Sequence, residues 1–515
     1  MICLVGFMGA GKSTALAELR DKGLRTADTD RLIEEEAGRS IPEIFDAGGE
    51  EGFREIEQRV VLAALADASI DALALGGGAV SNPALREAMS SPAHTVVWLD
   101  IDEGAAWRRV SRSDRPLAQD EEAFRRLFAE RLPLYAAVSD AILPAVAFRI
   151  WERALEPVRM LDRLPAGTRM HWAAGSNGDY PVYVGRGLLT GPLFEGDGPV
   201  MPGDGRSFGF TDDSVGPIYA DRVRGLEETV SVPPGETAKS VSQAEDSLRQ
   251  MARLGVTRSD RLVAIGGGVV GDLAGFCAAT YQRGIPYVQV PTTLVAQVDS
   301  AYGGKTGVDL PEGKNYVGAF HLPSAVVTDV DTLATLPEGE LKAGLAEVVK
   351  TALLAGGDLW RQVRDLEPGE IASRADLVFD CARYKCGVVA ADERDHGLRA
   401  ALNLGHTVGH AIEAVTGYSR YRHGEAVALG LLAALRLSDA EDLRNELREW
   451  NIRHGLPVSL EPEVDPDEVL RAVQFDKKRT SKGVGFVLLK KPGEPRTDCL
   501  VEAGKVRASV EELNK

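Results

Sequence analysis

The stretch ICLVGFMGAGKSTALAELR, residues 2–20, leaves little freedom in how its part of the chain folds. An apolar run of strand length meets Gly6, and Gly11-Lys12-Ser13 follows after four residues, opening a helix-patterned segment. Strand, G-x-x-x-x-G-K-S and helix, in that order, form a phosphate-binding loop. Its glycines let backbone N–H groups close around phosphates, its lysine neutralises them, and its serine hydroxyl ligates magnesium. Gly9, Ala10, Gly11, Lys12, Ser13 and Thr14 are thus the expected nucleotide-phosphate cradle. The first 150 residues alternate short apolar strands with amphipathic helices, the pattern of a parallel sheet with helices on both faces.

Further motifs follow along this part. TADTD places Asp28 and Asp30 at the end of a second strand, GFREIE offers Arg54, LALGGGAV offers Gly76 to Gly78, and RLPLY offers Arg131. A carboxylate near phosphates holds magnesium or accepts a substrate hydroxyl proton, and paired arginines grip a carboxylate. In this order the motifs resemble shikimate kinase over residues 1–145. The resemblance implies that ATP binds at the cradle and that Ser13 and Asp28 hold magnesium. It also places Asp30, Arg54, Gly77 and Arg131 around shikimate. Arg115, in RSDRPL, would close over ATP and complete the catalytic set with Lys12 and Asp30. LPAVAFRIWERALEP departs from the family pattern, so no adenine contact is assigned.

At 515 residues the chain holds two to four domains. Lys plus Arg is 59 against 77 Asp plus Glu, a net charge of −18. That excludes a general nucleic-acid or anionic-membrane binder but not small anionic substrates, which meet local clusters of lysine and arginine. The five cysteines are scattered, in no metal-ribbon spacing, and read as reduced thiols. No apolar run reaches 18 residues, and Met1 leads directly into ICLVGF without a basic leader, so a cytoplasmic location is expected. The expected partition is 1–155, a linker over 156–178, an α/β part over 179–335 and an all-α part over 336–515.

In the α/β part, the apolar strand RLVAI runs into GGGVVGDLAGF, where Gly266, Gly268 and Gly271 fit G-x-G-x-x-G. Such a turn seats a pyrophosphate on a helix N-terminus. The acidic ribose ligand expected about twenty residues on is missing; Glu236, near Lys239, is an upstream substitute. VPTTLVAQVDSAYGGKTGVDLPEGKNYVGAFHLP reads as a glycine-rich loop carrying Asp299, Lys305, Lys314 and Asn315, suited to phosphate or carboxylate. Glu347 and Lys350 share a helix face, the ordinary pattern of a surface ion pair. LNLGHTVGHAIEAVTGYSRYRHGEAVALG gathers His406, His410 and His423 with Glu413 and Glu425. His406 and His410 also share a helix face, which suits either a structural pair or part of a metal site.

The ordered set GGGVVGD, VPTT, DSAYGGKTG, GKN, GLAEVVK, LRAALNLGHTVGHAIE and HGEAVALG resembles 3-dehydroquinate synthase over residues 180–515. The resemblance implies zinc, or cobalt, on Glu347, His406 and His423. It implies NAD at Glu236, Lys239, Gly268, Val269, Val270, Gly271, Asp272, Thr292, Thr293, Lys305, Lys314, Thr332, Leu333, Ala334 and Thr335. The substrate, 3-deoxy-D-arabino-heptulosonate 7-phosphate, would meet Arg283, Asp299, Lys305, Asn315, Lys350, Lys385, Arg399, Asn403, His410 and Lys477. Asp299, Lys305 and His410 would be catalytic. The implied chemistry is transient oxidation by NAD, phosphate elimination, return of the hydride and aldol closure, with no net redox change. Other sugar-phosphate cyclases, a glycerol-type dehydrogenase and a silent kinase domain are the alternatives. A homodimer through the second enzyme, two independent sites and no nucleic-acid or membrane partner complete the expectations.

Overall fold

The computed structural model describes residues 1–111, 120–145, 149–175, 177–195, 198, 200, 204–393, 397–473, 479–480 and 483–514. Arg115 and Lys477 lie outside the described residues. The chain divides into two compact units. One contains Met1–Trp172 with two short later pieces, and the other contains most of the remainder.

In the first unit the strand Ile2–Val5 lies between Ala72–Ala74 and Thr95–Asp100, with Thr26–Asp28 and Ala141–Pro144 outside them, all parallel. All four residues of the central strand are buried, as a parallel sheet covered on both faces requires. Helix Lys12–Asp21 follows that strand directly, so its N-terminus sits at the carboxyl end of the sheet. Residues 156–168, expected within a connection, continue helix Trp151–Met160 and then turn into strand Arg169–Gly175.

The second unit repeats the principle. Strands Ala325–Asp329, Tyr287–Pro291, Arg261–Gly266, Ser207–Asp212 and Leu226–Val232 pair in that order, all parallel. Helix Gly268–Thr280 packs on them closely: a Cβ on Gly271 would stand 2.6 Å from Gln289 Oε1. Its buried face, with Leu273, joins a core containing Phe208, Phe210, Leu262 and Tyr287.

The segment expected as a glycine-rich loop is ordered structure. Residues Ala296–Ser300 form a π-helical turn, and Lys305–Leu310 pairs antiparallel with Gly313–Phe320. Gly307 faces Gly318, and a Cβ on Gly307 would lie 2.8 Å from Val317 O. The glycines permit close strand approach there; they do not mark a break.

From Glu338 to Val473 the second unit is helical, as expected. The expectation of an all-α part fails beyond it: Gly483–Leu489 and Pro495–Leu500 pair antiparallel. The alternating exposure of Pro495–Leu500 is the period-two signature that a helical reading overlooks.

Candidate active sites

In the first unit the turn after the central strand relies on backbone that only glycine adopts freely: φ is 83° at Gly9 and 87° at Gly11. Lys12 reaches back over this turn, its Nζ donating to Gly6 O at 2.8 Å and Phe7 O at 3.3 Å. Ser13 Oγ donates to Asp28 Oδ2 at 3.1 Å. A cavity of about 460 Å³ opens over the turn, lined in part by Ser13, Asp28, Asp30, Gly77 and Arg109. The rest of the cradle, Gly9, Ala10, Gly11, Lys12 and Thr14, lines it too.

Arg54 and Arg131 stand near Gly77 and Gly78. Arg131, only 4% exposed, donates through Nη1 to Gly77 O at 3.3 Å, and Tyr135 OH donates to the same carbonyl at 2.5 Å. Arg54 Nη1 donates to Glu57 Oε2 at 2.5 Å. Glu57 is a buried carboxylate that the motif reading passed over, although its i,i+3 spacing from Arg54 signals a shared helix face. Burial raises the Glu57 pKa, opposed by Arg54, and burial lowers that of Arg131. A Cβ on Gly76 would fall 2.9 Å from Glu57 Oε1 and 3.1 Å from Asp30 Oδ1, so these two carboxylates converge where only glycine fits. Arg109 was also passed over; its Nη1 donates to Gly9 O at 2.8 Å.

In the second unit helix Glu338–Ala355 is buried from Ala343 through Leu354. The expected surface pair is therefore internal: Glu347 and Lys350 are each 1% exposed, and Lys350 Nζ lies 2.5 Å from Glu347 Oε2. The helix runs through the packed interior, so its charged face meets other charges instead of water. Asp299 Oδ1 is 3.6 Å from Lys350 Nζ and 2.7 Å from Lys385 Nζ. Burial raises the Asp299 pKa, but Lys385 and Lys350 outweigh it and hold the group below the usual carboxylate range.

Two further helices begin on histidines, His406–Val415 and His423–Leu437. They cross tightly, since a Cβ on Gly409 would stand 3.1 Å from Ala426 O. Their first residues therefore meet: His406 Nε2 is 3.6 Å and His423 Nε2 3.4 Å from Glu347 Oε1. That oxygen is buried and, among the described residues, has no hydrogen-bond partner of good geometry. Behind the rings, His406 Nδ1 lies 3.1 Å from Leu404 O and His423 Nδ1 lies 3.2 Å from Glu413 Oε2. Burial, then Lys350, keeps the His406 pKa far below its ordinary value, so the ring is neutral and free to ligate. The pKa of Glu347 is well below the carboxylate range; burial opposes this, and Lys350 with His423 overcomes it. Two imidazoles and a carboxylate converging on one point suit a divalent cation such as zinc. His410 stands beside them, its ring centroid 5.2 Å from that of His406 and 5.9 Å from that of His423.

The other proposed contacts lie on several elements of the second unit. Gly268, Val269, Val270, Gly271 and Asp272 occupy the first turns of helix Gly268–Thr280, at the carboxyl end of a parallel strand, a geometry that suits a pyrophosphate. Val270 is buried, so its backbone alone can face a ligand. Lys239 Nζ pairs with Asp272 Oδ2 at 2.5 Å. Thr292 N donates to Gly266 O, and Thr293 lies against Gly267. In the turn Val330–Thr335, which includes Leu333 and Ala334, Thr332 is engaged by Gln297 at 2.9 Å and Thr335 by Tyr219 at 2.6 Å. Lys314 is 3.4 Å from Glu236 Oε1 and 3.6 Å from Glu413 Oε1. Lys305 and Asn315 are exposed on the hairpin, where Asn315 N donates to Asp309 Oδ1 at 2.7 Å. Arg399 is buried, its Nη1 on Glu393 O at 2.8 Å, and Asn403 Nδ2 donates to Ala400 O at 3.1 Å. Arg283 is exposed in a turn with φ 69°.

Known proteins share both halves of this arrangement. The family description for the 3-dehydroquinate synthase N-terminal part matches residues 229–343, and that for its C-terminal part matches 344–479. The 3-dehydroquinate synthase of Symbiobacterium thermophilum is 45% identical over 355 residues, covering 65% of this chain and 98% of the relative. The chain belongs to the 3-dehydroquinate synthase family. Ahead of that segment, residues 8–152 match shikimate kinase, so the polypeptide joins shikimate kinase and 3-dehydroquinate synthase activities of the shikimate pathway. A solved 2-epi-5-epi-valiolone synthase from Streptomyces hygroscopicus, with NAD⁺ and Zn²⁺ bound, aligns with TM-score 0.58 at 25% identity, covering 65% of this chain and 96% of that one. A 2-deoxy-scyllo-inosose synthase complexed with carbaglucose-6-phosphate, NAD⁺ and Co²⁺ shares the fold at TM-score 0.60 and 24% identity, over 67% of this chain and 99% of that one. No helix among the described residues is long and apolar enough to cross a membrane.

Proposed function

We propose that the 3-dehydroquinate synthase activity of this chain requires NAD and a divalent metal, zinc or cobalt, and that Glu347, His406 and His423 hold the metal. The convergence of two imidazole nitrogens on one buried carboxylate oxygen carries this reading. When bound, the metal polarises a substrate hydroxyl, and NAD supplies a hydride acceptor that is returned within the cycle.

The chain's own residues do the rest. Lys350 and Lys385 bring positive charge to a water-poor pocket, where they hold the substrate carboxylate with Arg399 and Asn403. Asp299 orients both lysines and, with His410, relays protons at substrate hydroxyls. Arg283, Lys305, Asn315 and Lys477 take the phosphate. Glu236, Lys239, the helix opening at Gly268 to Asp272, Thr292, Thr293, Lys314 and Thr332 to Thr335 cradle the dinucleotide. In the kinase, Lys12 and the cradle bind ATP, and Ser13 with Asp28 holds magnesium. Asp30 accepts the shikimate hydroxyl proton, Arg54, Gly77 and Arg131 fix the acceptor, and Arg115 closes over ATP. The kinase belongs to the unit Met1–Trp172 and the second enzyme to the other unit, with dimerisation through the second enzyme.

The test is phosphate release from 3-deoxy-D-arabino-heptulosonate 7-phosphate before and after both metal and NAD are stripped. Release that returns only with both, without NADH accumulating, supports the reading. Undiminished release from stripped protein overturns the cofactor requirement, and accumulating NADH points to a dehydrogenase. A monomeric mass in solution with full activity overturns the dimer.

A further inference from the structure

We infer that Glu413 is a positioning residue of the metal centre, holding His423 from behind so that its Nε2 faces the cation. The inference rests on the reading of Glu347, His406 and His423 as ligands.

Glu413 lies two helical turns beyond His406 on the same helix and is 3% exposed. Its Oε2 is 3.2 Å from His423 Nδ1, while His423 Nε2 is 3.4 Å from Glu347 Oε1. A neutral imidazole carries one proton, and a carboxylate on Nδ1 keeps the proton there, leaving the Nε2 lone pair for a cation. His406 is held in the same sense by Leu404 O on its Nδ1 at 3.1 Å. The two rings are therefore oriented alike, one by a carbonyl and one by a charge.

The carboxylate is itself held. Its other oxygen, Oε1, is 3.6 Å from Lys314 Nζ on the strand Gly313–Phe320. With one oxygen on the ring and the other facing a cation, Glu413 has a defined plane. His410, Glu413 and His423 also form a possible ligand group of their own. The two groups use opposite nitrogens of His423: Nδ1 faces Glu413 and Nε2 faces Glu347. In the positioning role Glu413 does not touch the metal.

The experiment titrates the full chain, freed of metal, with Co²⁺ in competition with a chromophoric chelator and follows the cobalt absorption bands. Glu413→Ala should weaken cobalt binding about 10–100-fold without changing the pattern of the bands, as loss of an outer-shell partner does. Glu413→Gln, which keeps an acceptor oxygen, should fall between Ala and wild type, and it stands in if the alanine variant does not fold. Glu347→Gln should lose a ligand and show altered bands. Wild-type affinity in both Glu413 variants overturns the positioning role while leaving the three ligands in place. Cobalt retained by Glu347→Gln but lost from Glu413→Ala overturns the ligand reading itself, because the ion would then sit in the other group. Circular dichroism matched to wild type excludes unfolding as the cause.

Discussion

Lys385 Nζ lies 2.7 Å from Asp299 Oδ1, and Lys350 Nζ approaches the same oxygen at 3.6 Å, with both lysine side chains at most 10% exposed. Asp299 thus pairs closely with Lys385, while Lys350 is shared between it and Glu347, 2.5 Å away. Asp299→Asn removes the charge and keeps the shape. It should destabilise the second unit by on the order of 3 kcal/mol, because the buried Lys385 loses its carboxylate while Lys350 keeps Glu347. With the proton-relay role proposed for Asp299, phosphate release should fall at least about 100-fold. Thermal unfolding and turnover check this; wild-type stability would show that the lysines find other partners.

Lys12 binds carbonyls of its own loop and lies within the cavity lining, on elements that belong to the first unit alone. Lys12→Ala should reduce shikimate-dependent ADP formation by at least about 100-fold, the scale for losing a positioned charge from a transition state. Phosphate release by the other enzyme should stay at the wild-type rate. Loss of both activities in a folded variant contradicts two independent sites.

The Arg54–Glu57 pair fixes a guanidinium beside Gly78. With Glu57→Ala the arginine keeps only the half-exposed Glu50, which accepts from Nε at 3.3 Å and Nη2 at 3.0 Å, and loses its buried anchor, so KM for shikimate should rise about 10–100-fold while KM for ATP stays within twofold. Initial-rate kinetics with each substrate varied separate the two. Equal rises for both substrates would mean a disturbed domain and not a lost orientation.

Asp260 is 3% exposed and accepts from Arg206 N at 2.9 Å, Arg206 Nη2 at 2.9 Å, Thr257 N at 2.7 Å and Thr257 Oγ1 at 2.9 Å. Burial alone raises its pKa, but the Arg206 and Thr257 donors outweigh it and bring it down to about 2. A carboxyl with a depressed folded-state pKa adds stability above its ordinary value of 3.8, and the gain disappears as pH falls through about 2. Asp260→Ala should therefore cost about 1–3 kcal/mol at pH 7, leaving backbone donors without their acceptor. The gap to wild type should narrow steadily below pH 4. Denaturation at a series of pH values measures it, and a gap independent of pH would remove the ion pair from the explanation.

The features most legible in the sequence were those whose chemistry is local. The phosphate-binding turn lies within thirteen residues of Met1, and its glycines, lysine and serine are adjacent in both sequence and space. Glu347 and His423 were reached only through a family resemblance, since 76 positions separate them and no local period relates one helix opening to another helix interior. The hairpin from Lys305 to Phe320 was misread because glycine weakens strand propensity, whereas the cross-strand approach of Gly307 and Gly318 requires it. Glu57 escaped notice because a carboxylate three residues from an arginine is ordinarily solvated, and its burial is a tertiary fact. Glu413 stood in the same motif as the histidines, yet nothing local shows that it meets Nδ1 of a ring on the next helix.

With the roles proposed for Lys350 and Lys385, their burial also governs how an anionic substrate arrives. The chain carries −18 overall, so a molecule bearing carboxylate and phosphate approaches against the field of the whole protein. Exposed Arg283 and Lys305 offer attraction at the surface, whereas the buried Lys350 and Lys385 act only over the last few ångströms. At about 0.15 M ionic strength the Debye length is ~8 Å, so dissolved ions mute the distant repulsion long before they reach ammonium groups sealed from solvent. Moderate salt should then ease capture, the reverse of an enzyme that draws its anions from afar.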